Sequence, residues 1–214
     1  MVKQSELVDF LRSQTIHSGF LDQLKVNYRP LICPLDELIN DIGNAESVFD
    51  IGCGSGQFAL LIAAFSNVKR IGGVEIDERL VNNAKKLLSP YAGKIQTDFT
   101  AYDGSALPAS IGTYDLIFMV DVLHHIPKAA QEGFLKKVYA LMKPGARFVL
   151  KDIDASSPFV YSNKLHDMIF AREIGNEWTF AHAIKVATDI GFKIKGSSKR
   201  RMYVYPHYTI ALEK

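Results

Sequence analysis

The amino-acid sequence predicts an α/β fold: a mostly parallel, seven-stranded sheet, helices on both faces, and an antiparallel hairpin at its C-terminal edge. Three observations lead there. Over the first two thirds of the chain, short apolar runs alternate with helical patterns, the mark of a parallel sheet joined by right-handed crossovers. The run "YDLIFMV", residues 114–120, is almost continuously apolar, as a strand buried on both faces must be. The last two strand candidates are rich in Tyr, Val and Ile and are joined by the short polar stretch "SSKRR", so they can pair antiparallel.

Each element follows in turn. Leu7, Phe10 and Leu11 sit at helical spacing, which predicts a short amphipathic helix over 4–14. Two prolines follow in "YRPLICPLDELINDIG", then a second helix over 34–42 with Gly43 as its stop. "SVFDI" is the first strand and residues 56–65 a buried helix. "RIGGVEI" is the second strand, and Asp77 is an N-cap for the helix "ERLVNNAKKLL". "IQTDFTAY" is a weaker third strand, "YDLIFMV" the fourth. The helix "KAAQEGFLKKVYALM" closes at "KPG", and "ARFVLKDI" is the fifth strand. Residues 155–177 show no clear period and hold Pro158, Gly175 and several aromatics. A helix over 179–190 ends at Gly191, and strands are expected over 192–198 and 202–212.

Composition narrows the function classes. A chain of 214 residues with 48% hydrophobic and 22% charged content is ordinary for a soluble globular protein and fits one large α/β domain or, less comfortably, two small ones. The net charge of +2 makes no strong case for a polyanionic partner. Cys33 and Cys53 form no metal spacing, so no metal is expected and both read as reduced thiols of a cytoplasmic protein. No apolar run approaches the ~20 residues of a membrane span, and Glu6 and Asp9 interrupt the N-terminal apolar pattern, so neither a membrane association nor a signal peptide is expected.

The chemistry concentrates in "VFDIGCGSGQF", where the first strand runs into Gly52, Gly54 and Gly56. Ligands of open α/β sheets bind outside the carboxyl ends of the strands. The dinucleotide fingerprint is G-x-G-x-x-G, and Gln57 stands where its third glycine belongs; the P-loop lysine is absent as well. Asp50, just before the turn, would repel a pyrophosphate and suit a cationic amine. The turn is therefore shaped for a nucleoside with a positively charged tail and no phosphates.

"DIGCGSG" resembles the first motif of the class I S-adenosylmethionine-dependent methyltransferases, and the resemblance extends over residues 46–153 through "GGVEID", "YDGSALP", "YDLIFMVDVLHHIP" and "LMKPGARFVL". It implies a three-layer Rossmann-like sandwich with S-adenosyl-L-methionine as cofactor. It assigns Asp50, Gly52, Cys53, Gly54 and Gly56 to the cofactor turn; Asp50 either caps the turn's amides or touches the ligand. Glu75, nineteen residues after Gly56, would bind both ribose hydroxyls, since a carboxylate can accept two O–H donors; Ile76 is its neighbour. Asp103 would accept from the adenine amino group, with the Gly104 amide facing a ring nitrogen, and Asp121 would meet the methionine end. Asp77 is read as a helix cap.

The chain is accordingly read as a single domain: a helical cap over 1–45, a cofactor-binding core over 46–153, a substrate-side insert over 154–178, and a terminal helix and hairpin over 179–214. His124 and His125 follow strand four and are the candidate general bases, since an imidazole titrates near neutrality. Tyr28, Arg29, Tyr161, His166 and Trp178 are the candidate acceptor-binding residues. Lys193, Lys195, Lys199, Arg200 and Arg201 read as a solvated hairpin end rather than a nucleic-acid contact. The expectation is methyl transfer to a small molecule by a monomer or homodimer, oxygen favoured as acceptor. An RNA or protein methyltransferase and a non-catalytic S-adenosylmethionine-binding subunit are the alternatives.

Overall fold

The computed structural model describes residues 1–14, 32–161, 164, 168 and 175–214. The chain divides into two compact units, Met1–Ala106 and Leu107–Lys214.

The first unit begins with α1 (Gln4–Ser13), whose Leu7, Val8 and Leu11 form one buried stripe. The Lys3 amide donates to Glu6 Oε2 at 2.8 Å, satisfying one of the orphan donors of the first turn. A short α2 (Leu35–Asn40) follows. Then come β1 (Ser47–Ile51), α3 (Gln57–Phe65), β2 (Arg70–Glu75), α4 (Glu78–Leu88) and β3 (Gln96–Ala101). β2 pairs in parallel with β1 and with β3. α3 is apolar nearly all round and buries six of its residues, the pattern of a helix enclosed in a core. Phe10 of α1 meets Phe65 of α3 edge to face, ring centres 5.2 Å apart. Asp77 caps α4 by accepting from the Arg79 amide at 2.8 Å, as its residue type predicts.

The second unit holds β4 (Leu116–Val120), α5 (Lys128–Leu141), β5 (Arg147–Ile153), α6 (Phe180–Ile190), β6 (Lys193–Met202) and β7 (Tyr205–Glu213). Every residue of β4 is buried. β4 and β5 are parallel, while β7 pairs antiparallel with both β5 and β6. Gly191 ends α6 with φ +111°, the left-handed cap its position predicts. The seven strands are ordered β3-β2-β1-β4-β5-β7-β6, a mostly parallel sheet with an antiparallel C-terminal edge, as the sequence predicts.

One boundary differs. "SSKRR" does not link the last two strands: it lies inside β6, and the turn is Tyr203–Val204. Lys, Arg and Ser are poor strand formers taken singly. Here the buried strand β7 supplies a partner along the whole length, from Lys193 opposite Glu213 to Met202 opposite Tyr205. Pairing with a core strand overrides local propensity.

Candidate functional site

The glycine turn sits at the carboxyl end of β1, within the first unit. The amides of Gly52 and Cys53 both donate to the Val74 carbonyl, at 2.8 and 3.0 Å, which lays the turn across the end of β2. Gly73 of β2 makes room for it. A Cβ there would stand 2.9 Å from Cys53 Cβ and 3.0 Å from the Asp50 carbonyl oxygen.

The two later glycines of the turn do different work. Gly56 opens α3 with φ +83°, and a Cβ on it would lie 2.8 Å from the Cα and Cβ of Ala84 in α4. It is glycine because two helices approach closely. Gly54 has φ +51°, yet a Cβ on it would meet nothing within 4 Å. Its lack of a side chain keeps open the space in front of the turn, which is the requirement of close ligand approach.

Glu75 ends β2 and has a role that its spacing does not reveal. Its Oε2 accepts from the Gly54 amide at 3.0 Å, and its Oε1 from the amides of Ile76 at 2.8 Å and Asp77 at 3.3 Å. Three of roughly four acceptor positions are thus taken up by backbone. Glu75 fixes the shape of the turn as well as standing where a ribose acid is expected. Ile76 beside it is 66% exposed, an apolar surface next to the acid. Asp50 is buried. The Cys53 thiol is pushed up, first by burial and then by the charges of Asp50 and Glu75, so it is inert as a nucleophile. Asp103 lies on the surface and its Oδ1 accepts from the Ser105 amide at 2.8 Å and the Ser105 hydroxyl at 2.6 Å. These bonds hold its carboxyl below the usual carboxylate range. Gly104 next to it has φ +81°.

Two acids near neutral donors, open space at Gly54 and an exposed isoleucine fit a nucleoside without phosphates. They do not fit a pyrophosphate at the turn, which Asp50 would repel.

The second unit carries the other candidates, at the carboxyl ends of β4 and β5. Asp121 has φ +56°, an unusual conformation for a residue with a side chain. It is held on two sides by one residue: its amide donates to the Lys151 carbonyl at 3.0 Å, and its Oδ1 pairs with Lys151 Nζ at 2.5 Å. Lys151 is fully buried, so its ammonium depends on that partner. The next residue, Asp152, holds the other end of the same loop. His124 Nδ1 lies 2.5 Å from Asp152 Oδ1, and the His124 amide donates to Oδ2 at 3.1 Å. The Ile153 amide also donates to Oδ1, at 2.7 Å. His124 is 2% exposed; His125 is exposed, its ring centre 4.1 Å from that of His124. The loop is tied from a third direction. The Asn176 amide donates to the His124 carbonyl at 2.7 Å, and Gln131 Nε2 donates to the carbonyls of Leu123 and Asn176, both at 2.8 Å.

Of the acceptor candidates, Tyr161 is exposed, and Trp178 is buried with its ring edge to face on His182. Trp178 therefore packs in the interior of the second unit. Tyr28, Arg29 and His166 lie outside the described residues. Sequence reasoning missed Lys151 and Asp152. The signal for them is present: two charged residues inside "ARFVLKDI", a run that otherwise reads as a central strand, where a charge needs a partner.

Residues 48–145 match the family model described as a methyltransferase domain. Among curated proteins, the chain is 29% identical over 156 residues to sterol methyltransferase-like 3 of Botryococcus braunii, covering 69% of this chain and 38% of that one. It is 23% identical over 151 residues to 27-O-demethylrifamycin SV methyltransferase of Amycolatopsis mediterranei, covering 69% and 54%. The chain thus spans about half, or less, of the length of these relatives. Among solved structures, magnesium protoporphyrin IX methyltransferase from Synechocystis, with bound SAH, superimposes with a TM-score of 0.70 at 20% identity, covering 98% of this chain and 94% of that one. The strand order, the glycine turn with its acid on β2, and the matched family model agree: residues 48–145 carry a methyltransferase domain, and the chain has the Rossmann-like fold of the class I S-adenosylmethionine-dependent methyltransferases.

Proposed function

We propose that this protein transfers a methyl group from S-adenosylmethionine to a hydroxyl oxygen of a small organic acceptor. The observation that carries the oxygen assignment is the buried His124–Asp152 pair. A carboxylate 2.5 Å from Nδ1 holds the proton on that nitrogen and makes Nε2 the basic one. This is the arrangement of a general base with an orienting acid.

Gly54 and Glu75 would hold the cofactor at its ribose, Ile76 would lie against the adenine, and Asp103 and Gly104 would meet the adenine edge. Asp50 would face the cationic tail. When bound, the cofactor supplies an electrophilic methyl carbon on a sulfonium, which leaves as a neutral thioether. The chain's own part is positioning and proton removal. Correct alignment of the acceptor oxygen is worth ~7–11 kcal/mol of barrier. His124 Nε2 would take the acceptor's hydroxyl proton, and the Asp152 carboxylate would steady the imidazolium. A base so placed contributes about 10²–10⁴ in rate. The burial of His124 keeps bulk water from competing for it.

The relative named 27-O-demethylrifamycin SV methyltransferase supports an oxygen acceptor. The relatives named sterol methyltransferases favour a second reading, a carbon acceptor, in which the same base would take a proton from carbon. Incubation of the purified protein with labelled S-adenosylmethionine and a panel of hydroxylated and unsaturated acceptors separates the two. Label in an ether or ester supports the oxygen reading; label retained on carbon, or no transfer to any hydroxyl compound, overturns it.

A further inference from the structure

We infer that the tip of the β6–β7 hairpin docks the protein on an anionic lipid surface. Four observations converge on that tip.

First, the hairpin turns through two residues, Tyr203 and Val204, between the paired Met202 and Tyr205. Two-residue hairpin turns favour Asn-Gly and similar pairs, which take positive φ without strain. Here Tyr203 takes φ +53°, an outlier for a bulky residue, and strain of that kind points to a use for the side chain. Second, neither side chain is used inside the protein. Tyr203 is 74% exposed and Val204 40%. Third, the apolar surface continues beside them. Phe159, after β5, is 37% exposed and carries the Arg201 guanidinium over its ring at 5.1 Å, which brings it to the hairpin end; Tyr161 is exposed two residues on. Fourth, β6 carries Lys193, Lys195, Lys199, Arg200 and Arg201 and no acid. Lys195 pairs with Glu213 at 3.4 Å and Lys199 with Asp154 at 2.6 Å; Arg200 and Arg201 are the cations next to the tip.

Tyrosine with aliphatic side chains at the point, and arginines just behind, is the composition of a membrane–water interface. The rings and the valine enter the headgroup boundary while the cations meet anionic lipid. A nucleic acid would use the cations and the rings but gives Val204 no partner. The tip also lies at the end of the second unit where β5 terminates, Ile153 pairing with His207 and Met202 with Tyr205. That is the end bearing the His124–Asp152 pair, so docking would turn it toward lipid. The contact is peripheral and needs no spanning helix; among the described residues no helix is long and apolar enough to cross a membrane. It goes beyond the sequence-based expectation of no membrane association, and it does not depend on the methyl-transfer reading.

The test is co-sedimentation of the protein with phosphatidylcholine vesicles, with and without about one third phosphatidylglycerol. The wild-type protein is expected to bind the anionic vesicles, to be released by salt, and to ignore the neutral ones. Tyr203→Asn with Val204→Ser, and separately Arg200→Gln with Arg201→Gln, should each weaken binding roughly tenfold or more. Asn suits the left-handed turn, so the first pair should melt no lower than wild type, which separates lost docking from lost folding. The inference is overturned if the wild-type protein binds neither vesicle, or if both double variants bind as wild type does. It is equally overturned if these substitutions abolish binding of single-stranded RNA or self-association in the ultracentrifuge while vesicle binding stays unchanged.

Discussion

Asp152→Asn is the substitution whose consequences the structure specifies most fully. Asp152 accepts three hydrogen bonds: from His124 Nδ1 at 2.5 Å and the Ile153 amide at 2.7 Å, both on Oδ1, and from the His124 amide at 3.1 Å on Oδ2. An asparagine has one acceptor oxygen and one donor nitrogen. With its oxygen in the Oδ1 place, Nδ1 and the Ile153 amide are satisfied, but the new NH₂ faces the His124 amide, donor against donor. Turned over, the NH₂ faces Nδ1 and Ile153. That forces the imidazole proton onto Nε2, the nitrogen that has to accept the acceptor's proton. Either way a buried donor is unpaired and a charge-assisted bond is lost, at a cost of about 2–4 kcal/mol. For a chain of this size that lowers Tm by roughly 5–12 °C. In the second arrangement the rate also falls, by about 10²–10⁴, with S-adenosylmethionine affinity unchanged. The assays are thermal melting, calorimetric titration with S-adenosylmethionine, long-range ¹⁵N–¹H correlation of the His124 ring, and methyl transfer to an acceptor found by the screen. A variant that transfers methyl at the wild-type rate, with the His124 ring proton moved from Nδ1 to Nε2, would refute the assignment of His124 as base.

The other expectations concern the glycine turn and the second unit. Gly54→Val should reduce S-adenosylmethionine affinity by more than roughly tenfold while costing only the strain of a side chain at positive φ, about 1–2 kcal/mol; unaltered affinity in calorimetry would remove the turn as the site. Gly56→Ala should do the reverse and destabilise the first unit, because the new methyl lies 2.8 Å from Ala84; a melting temperature equal to wild type would contradict that packing. Glu75→Ala should weaken binding far more than Asp77→Ala, which costs about 1 kcal/mol of helix capping; equal losses of affinity would count against Glu75 as a ligand. Acid should loosen the second unit through Asp154. Burial opposes its ionisation, but the Lys199 ammonium, the Ser156 amide and hydroxyl and the Phe180 amide hold its carboxyl below the usual range. A depressed pKa stabilises above the unfolded value and is lost as pH falls through the folded one, so Asp154→Asn should flatten the fall of stability below about pH 4. An unchanged acid limb would discount that carboxylate.

Much of this was legible in the residues. Strands β1, β2, β4 and β5 are central and mostly apolar, so their hydrophobic runs mark them directly. Asp77 and Gly191 announce helix ends because capping is local chemistry. The β6 strand was misread at its end because nothing local favours "SSKRR" as strand; its partner is β7, far in packing terms from any pattern of its own. The position of Glu75 follows from its place after the second strand. Its three bonds to the turn do not, since they depend on how the backbone of residues 52–54 folds back over β2. His124 and His125 are indistinguishable in sequence. Only the structure separates them, burying one against Asp152 and leaving the other at the surface, because the partner lies 28 residues away on β5.

The central claim is that the first unit holds S-adenosylmethionine at the glycine turn. Isothermal titration of the purified protein with S-adenosylmethionine and S-adenosylhomocysteine tests it most directly. A single saturable site for both ligands, weakened strongly by Gly54→Val and by Glu75→Ala, is the predicted result. Heat indistinguishable from dilution for both compounds, from protein shown to be folded, would contradict it.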